Sequence, residues 1–276
     1  MGRILNLICC THMLLVAGAV WADTAQQRGA YLAHMGGCHA CHTGDNDALM
    51  AGGIGLITEV GTFYPPNITP DPDHGIGNWN QDDFNRAMQQ GISPTGDPYY
   101  PAFPYTSYTR MTNADLVDLK AYLDSLPGVA QGTPEHDLSW PFSLRSGLKL
   151  WQWINFTPQE FTPDNTQSAV WNRGAYIVNG PGHCGECHTP RTLTMALDNS
   201  LHLQGNPQGP DGELVPGIDM SLRDDKWLAA DIIDALQIGI TPEGDFLGGS
   251  MADVIDHTSQ LTEADIHAIA NYLSQP

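Results

Sequence analysis

Two segments of the form C-x-x-C-H, Cys38-His-Ala-Cys-His42 and Cys184-Gly-Glu-Cys-His188, constrain this chain more than anything else in it. Residues at i, i+3 and i+4 share one face of a helical turn. Two thiols on that face can form thioethers to the two vinyl groups of a haem, and the adjacent imidazole can reach the iron from the same side. Cys38, Cys41 and His42 are therefore expected to hold one covalent haem c, and Cys184, Cys187 and His188 a second. C-x-x-C alone also serves zinc sites and thiol redox pairs. The histidine directly after each pair, present in both segments, sets this chain apart from those. Of its six cysteines, the remaining two, Cys9 and Cys10, fall in a segment expected to be removed.

That segment, residues 1–22, reads as a secretory signal: Arg3, an apolar run from Ile4 to Val20, and small Ala22 before Asp23. Asn6, Thr11 and His12 interrupt the run, which argues against a retained anchor. No later stretch is long and apolar enough to span a bilayer. The expected compartment is a bacterial periplasm, with peripheral attachment to the inner membrane left open. The chain is strongly acidic, with 31 Asp and Glu against 11 Lys and Arg. Nucleic acid is excluded as a partner, because phosphate needs a basic footprint. The acidic surface either steers a basic partner protein or serves solubility alone.

The chain is one unit written twice. Arg28-Gly-Ala-Tyr31 recurs as Arg173-Gly-Ala-Tyr176, and Thr43 and Thr189 each follow a motif histidine. Gly91-Ile-Ser-Pro-Thr-Gly-Asp97 matches Gly239-Ile-Thr-Pro-Glu-Gly-Asp245, and Thr112-Asn-Ala-Asp115 matches Thr262-Glu-Ala-Asp265. This places copies at 23–127 and 168–276 with a connector at 128–167. Each copy reads as helical: an N-terminal helix near 24–36 or 168–180, a middle helix ending at Gly91 or Gly239, and a last helix capped by Thr112 or Thr262. No strand pattern stands out, so the expected class is all-α. The connector carries Trp140, Leu148, Leu150, Trp151, Trp153, Ile154 and Phe156, expected as core between the copies rather than as an electron relay.

A haem held by one histidine leaves the opposite axial position open, and a Met thioether there raises the potential. In the second copy Met251 follows Gly248-Gly-Ser250, a loop suited to fold over a haem face, and is expected to be that ligand. The matching count in the first copy lands on Phe103, which cannot ligate iron. Met111 is the nearest methionine and the expected ligand. Its register also matches Leu261, the apolar residue before a Thr cap, so Met50, Met88, His74 and a water-bound iron stay open. His39 and His183, inside and beside the motifs, are expected at the solvent edge or near haem propionates.

Taken together, Arg28-Gly-Ala-Tyr-Leu32, Cys38-His-Ala-Cys-His-Thr43, Asn67-Ile-Thr-Pro-Asp71, Gly75-Ile-Gly-Asn-Trp79, Tyr100-Pro-Ala-Phe-Pro-Tyr105, Cys184-Gly-Glu-Cys-His-Thr-Pro-Arg191 and Gly248-Gly-Ser-Met251 resemble the cytochrome c subunits of bacterial alcohol, gluconate and fructose dehydrogenases and related dihaem cytochromes. The resemblance implies two tandem class I cytochrome c domains joined by the aromatic-rich connector, with His and Met as axial ligands. It also implies that Asn67 and Trp79 contact the first haem's propionates. Those subunits typically carry three haems and often a membrane-binding tail; this chain has two motifs and stops at Pro276. Where they commonly have Pro-Ala-Met-Pro, this chain has Phe103. The expected function is electron transfer from a periplasmic dehydrogenase to a downstream cytochrome or oxidase. The alternative is a dihaem oxidoreductase whose open first haem acts on peroxide or a sulfur oxyanion.

Overall fold

The computed structural model describes residues 23–44, 48–209, 212–223, 225 and 227–275. The expected signal at 1–22 lies outside the described residues. In chain order the first half holds α1 (Ala25–Met35), α2 (Cys38–His42), β1 (Leu56–Thr58), β2 (Gly61–Phe63), α3 (Gln81–Gln90), α4 (Tyr105–Tyr108), α5 (Asn113–Leu123) and β3 (Asp137–Leu138). It is followed by α6 (Leu148–Asn155), α7 (Ala169–Asn179), α8 (Gly185–His188), β4 (Gly205–Asn206), β5 (Val215–Pro216), α9 (Ala229–Ile238), α10 (Ser250–Thr258) and α11 (Glu263–Ser274). Helices dominate, and the repeat is visible in their order.

Local caps explain the helix limits. The Thr24 hydroxyl accepts from the Gln27 N–H (3.2 Å) while Gln27 Oε1 accepts from the Thr24 N–H (2.8 Å), a reciprocal pair that starts α1. Asn80 and Asp83 form the same pair at α3. Gly91 (φ 64°) and Gly239 (φ 70°) end α3 and α9 in the left-handed conformation.

Glycine also decides how the helices cross. α1 packs on α5, and α7 on α11. A Cβ on Gly29 would stand 2.0 Å from the Asp118 carbonyl oxygen, and one on Gly174 2.0 Å from that of Ala268. The arginine before each glycine then reaches across. Arg28 forms a fork on Asp118 (2.6 and 2.7 Å) and Arg173 on Asp265 (2.8 and 2.7 Å).

The tyrosine of each repeat serves the other copy. Tyr31 accepts from the Thr262 N–H (3.1 Å) and donates to Asp265 Oδ2 (2.7 Å) at the start of α11. Tyr176 accepts from the Thr112 N–H (3.3 Å) and donates to Asp115 at the start of α5. Within each cap the threonine hydroxyl accepts from the Asp N–H as expected. The carboxylate does not turn back to the cap N–H; a tyrosine from the opposite copy stands between them. The copies therefore dock with approximate twofold reciprocity. One hydrophobic core runs through both, including Leu32, Leu116, Leu119, Ile177, Ile266 and Ile269.

This arrangement gives a pH signature. Burial raises the Asp265 pKa, but the hydrogen bonds from Arg173 and Tyr31 outweigh it and hold the carboxyl below its ordinary value. A depressed carboxyl contributes stability that is present above its unfolded pKa, about 3.9, and is lost as pH falls through the folded one. Asp265→Asn is therefore expected to lower the melting temperature at neutral pH, with the gap to the natural chain closing below about pH 3.9. A gap that stays constant from neutral to acid pH would refute this account.

Two expectations are corrected. The chain is not all-α among the described residues: β1, β2 and β3 form an antiparallel sheet, and β4 pairs with β5. These strands are two or three residues long, too short to show an alternating pattern. β3 comes from the connector, which is further fastened by Asn67 Nδ2 donating to the Val129 (2.7 Å) and Gln131 (3.0 Å) carbonyls. The connector is also not core between the copies. Leu148 is buried, but Trp153 is 81% exposed, and Trp140, Leu150 and Ile154 are exposed as well. Trp151 is held by its indole N–H on the Thr194 carbonyl (2.6 Å).

Candidate functional site

Both C-x-x-C-H segments form a single helical turn. Gly37, with φ 58°, precedes Cys38 and turns the chain from α1 into α2; His183, with φ 39°, does so ahead of α8. None of the four motif cysteines is tied up in a disulfide. Burial pushes Cys38 and Cys184 up to about 12, with the nearby Cys41 or Cys187 adding to the rise. They are therefore protonated at neutral pH, unlike the electropositive surroundings of a redox thiolate.

The two motif imidazoles are oriented identically. His42 Nδ1 lies 2.7 Å from the Pro66 carbonyl and His188 Nδ1 lies 2.7 Å from the Pro216 carbonyl. A carbonyl only accepts, so each Nδ1 carries the proton and each Nε2 keeps its lone pair. Burial lowers the pKa of both imidazoles, which favours the neutral form that ligates metal. Thr43 and Thr189 extend the likeness: their hydroxyls accept from the Met50 (3.3 Å) and Leu203 (3.0 Å) N–H groups. Two thiols and a neutral, proline-held imidazole on one helical turn, found twice, fit two haem c groups.

Each motif also faces the opposite copy. Glu186 accepts from Thr106 Oγ1 (2.8 Å) and Ser107 Oγ (3.0 Å) of α4 and pairs with Arg191 (2.8 Å). Burial, and after it the charge of Asp253 on α10, raises the pKa of the Cys41 thiol. Tyr108 sits between the motifs, donating to the Gly36 carbonyl (3.2 Å) while its ring meets that of His183 edge-on.

Met251 is the second residue of α10, half-buried, behind Gly249. Met111 is 1% exposed in the shared core, at the register of buried Leu261. Met50 shares its positive φ and full burial with Leu203, and Met88 is a buried residue of α3; like Met111, both lie in the shared core. His74 is tied to Asp71 at 3.1 Å. Phe103 packs edge-on to Tyr99 and Tyr105. Asn67 spends its side chain on loop bonds: its amide serves Val129 and Gln131 and its oxygen accepts from Thr69. The propionate contact implied for it is replaced by that structural task. His39 is partly buried, with its ring stacked on that of His34 at 4.8 Å. Sequence reasoning missed the Pro66 and Pro216 carbonyls, although each proline stands two residues before an isoleucine that bonds back to the Met50 or Leu203 carbonyl.

The family described as Cytochrome c matches residues 26–127. A diheme cytochrome c-type protein of Cereibacter sphaeroides is 42% identical over 253 residues, covering 90% of this chain and 84% of that protein. The chain belongs to the dihaem c-type cytochromes. The cytochrome carries two covalently bound haem c groups and is an electron-transfer protein. It is also 39% identical to the cytochrome c subunit of a quinone-type alcohol dehydrogenase of Gluconacetobacter polyoxogenes, covering 94% of this chain and 58% of the subunit. The cytochrome c subunit of a gluconate 2-dehydrogenase of Pantoea cypripedii is 39% identical, covering 91% and 59%. The cytochrome thus spans a little over half the length of these dehydrogenase subunits. Among its described residues no helix is long and apolar enough to cross a membrane.

Proposed function

We propose that this cytochrome relays electrons from a periplasmic dehydrogenase to a downstream cytochrome or oxidase, through one haem in each of two class I domains at 23–127 and 168–276, joined by the connector at 128–167. Cys38 and Cys41 anchor the first haem and Cys184 and Cys187 the second. His42 and His188 would bind the two irons, and Met111 and Met251 would complete their ligand sets. Each bound haem supplies a reversible one-electron couple at its iron. The residues supply the rest. Pro66 and Pro216 fix the imidazoles so that neither has to reorient. The Tyr31 and Tyr176 caps hold the two motifs at a fixed mutual position. The dehydrogenase partner rests on the names of the relatives, and periplasmic export on residues 1–22.

The observation that carries this reading is the pair of matching motif turns, each with its histidine on a proline carbonyl, facing each other across a reciprocal interface. The relatives are named as a diheme cytochrome c-type protein and as cytochrome c subunits of dehydrogenases, which supports a carrier over an oxidoreductase with an open first haem. Spectroelectrochemical titration of the haem-loaded protein is expected to give two reversible one-electron steps, with no steady-state consumption of peroxide or thiosulfate. Turnover of either substrate would overturn the reading. In the same experiment Met251→Leu is expected to lower the potential of one step only, because a thioether raises the potential of the iron it binds. Unchanged steps in that variant would remove Met251 from the ligand set.

A further inference from the structure

Three histidines outside the haem motifs' ligand positions converge at the interface between the copies. His34 lies in the last turn of α1, His39 in α2 and His257 in the last turn of α10. One ring nitrogen of each lies within 4.8 Å of the other two, the only such grouping of three metal-type ligands among the described residues. The rings approach face to face, His34 on His39 at 4.8 Å and His39 on His257 at 5.8 Å. His34 Nδ1 and His39 Nδ1 are buried with no hydrogen-bond partner. Buried polar nitrogens ordinarily have a partner, so two side by side without one mark a place for a ligand.

The repeat shows that the fold does not require these histidines. By the alignment of the two copies, the matching positions in the other half are Asn179, Gly185 and Ser107. There Asn179 is satisfied by ordinary hydrogen bonds to Tyr272 (3.0 Å) and His202 (2.7 Å). Three positions, one of them far from the others in sequence, are histidine in one half only, and they meet at one point. Burial lowers the pKa of all three, His39 to about 4, and neutral imidazole is the ligating form. Asp253 and Asp256 place negative charge beside His257.

We infer that His34, His39 and His257 bind one divalent transition-metal ion of the class imidazole favours, such as zinc, copper or nickel. Zinc–nitrogen bonds of about 2.0–2.1 Å put tetrahedral donors about 3.4 Å apart, so the three imidazoles would turn out of their stack to converge on the ion. The ion would tie α10, the helix that opens with Met251, to α1 and to the first motif. It is separate from the haem irons, and the inference stands whichever residue ligates them.

The test uses the full haem-loaded chain, stripped with chelator and titrated calorimetrically with zinc chloride in excess magnesium chloride, which saturates the acidic surface. One zinc per chain is expected, with a rise in melting temperature. His34→Asn, His257→Ser and His39→Gln, the first two borrowing residues already accommodated in the other half, are each expected to weaken binding at least about tenfold, the scale on which even outer-shell changes act. Unaltered haem absorbance in the variants shows that the fold is kept. Absence of saturable zinc uptake by the natural chain would overturn the site, as would full affinity in any of the three variants.

Discussion

A chain in which Cys184 and Cys187 are both replaced by serine is expected to retain one covalent haem where the natural chain retains two. The intact mass, measured after denaturation, is expected to fall by one haem, and the haem-to-protein ratio to halve. Thioethers survive unfolding, whereas an axial imidazole bond and packing do not. The readout therefore does not depend on the variant's stability. Replacing Cys38 and Cys41 in the same way is expected to have the same effect on the first haem. Two haems retained in either double variant would show that the attachment sites lie elsewhere. The loss is also expected to be selective: the surviving haem should titrate at a potential close to its own in the natural chain, because its proline-held histidine lies in a different turn.

What the sequence made legible was whatever chemistry is local. Cys38 to His42 and Cys184 to His188 are five-residue statements, and the structure forms each as one turn. Helix limits followed from caps a residue or two away: α1 and α7 lie within a residue of the expected spans, and Gly91 and Gly239 end their helices. What was illegible depends on distance in sequence. Tyr31 was recognisable as part of a repeat, but only the docked copies show it completing the cap of Thr262, 231 residues away. His34, His39 and His257 carry no spacing that announces a cluster. The exposed connector defeated a rule that holds on average: Trp153 is apolar, and yet the short α6 buries only Leu148. The axial methionines fall between these cases, since a loop's length can be counted but its path cannot.

The same distance argument makes the helix crossings the most vulnerable points of the fold. Gly174→Ala is expected to lower the melting temperature by several degrees or to prevent accumulation of the protein. In a free helix the change would favour folding, because alanine exceeds glycine by about 1 kcal/mol in helix propensity. Here the new methyl would stand 2.0 Å from the Ala268 carbonyl oxygen and 2.8 Å from Tyr272 Cβ, where ordinary contact begins near 3.4 Å. Both neighbours are fixed parts of α11, so no flexible side chain can swing away. Overpacking of a rigid site costs about 1–3 kcal/mol and sometimes more, which exceeds the propensity gain. Separating α7 from α11 would also stretch the Arg173 fork on Asp265, and with it the carboxylate that receives Tyr31 from the other copy. Gly29→Ala, facing the Asp118 carbonyl oxygen at 2.0 Å, is expected to behave alike in the first half. Gly147 is the control: its φ is −74°, and a Cβ added there would meet nothing within 4 Å. Alanine at that position is expected to be neutral or stabilising by about 0.4–1 kcal/mol. Thermal melts of the three variants decide the matter: a Gly174→Ala chain as stable as the Gly147→Ala chain would mean that the helices do not cross at this glycine.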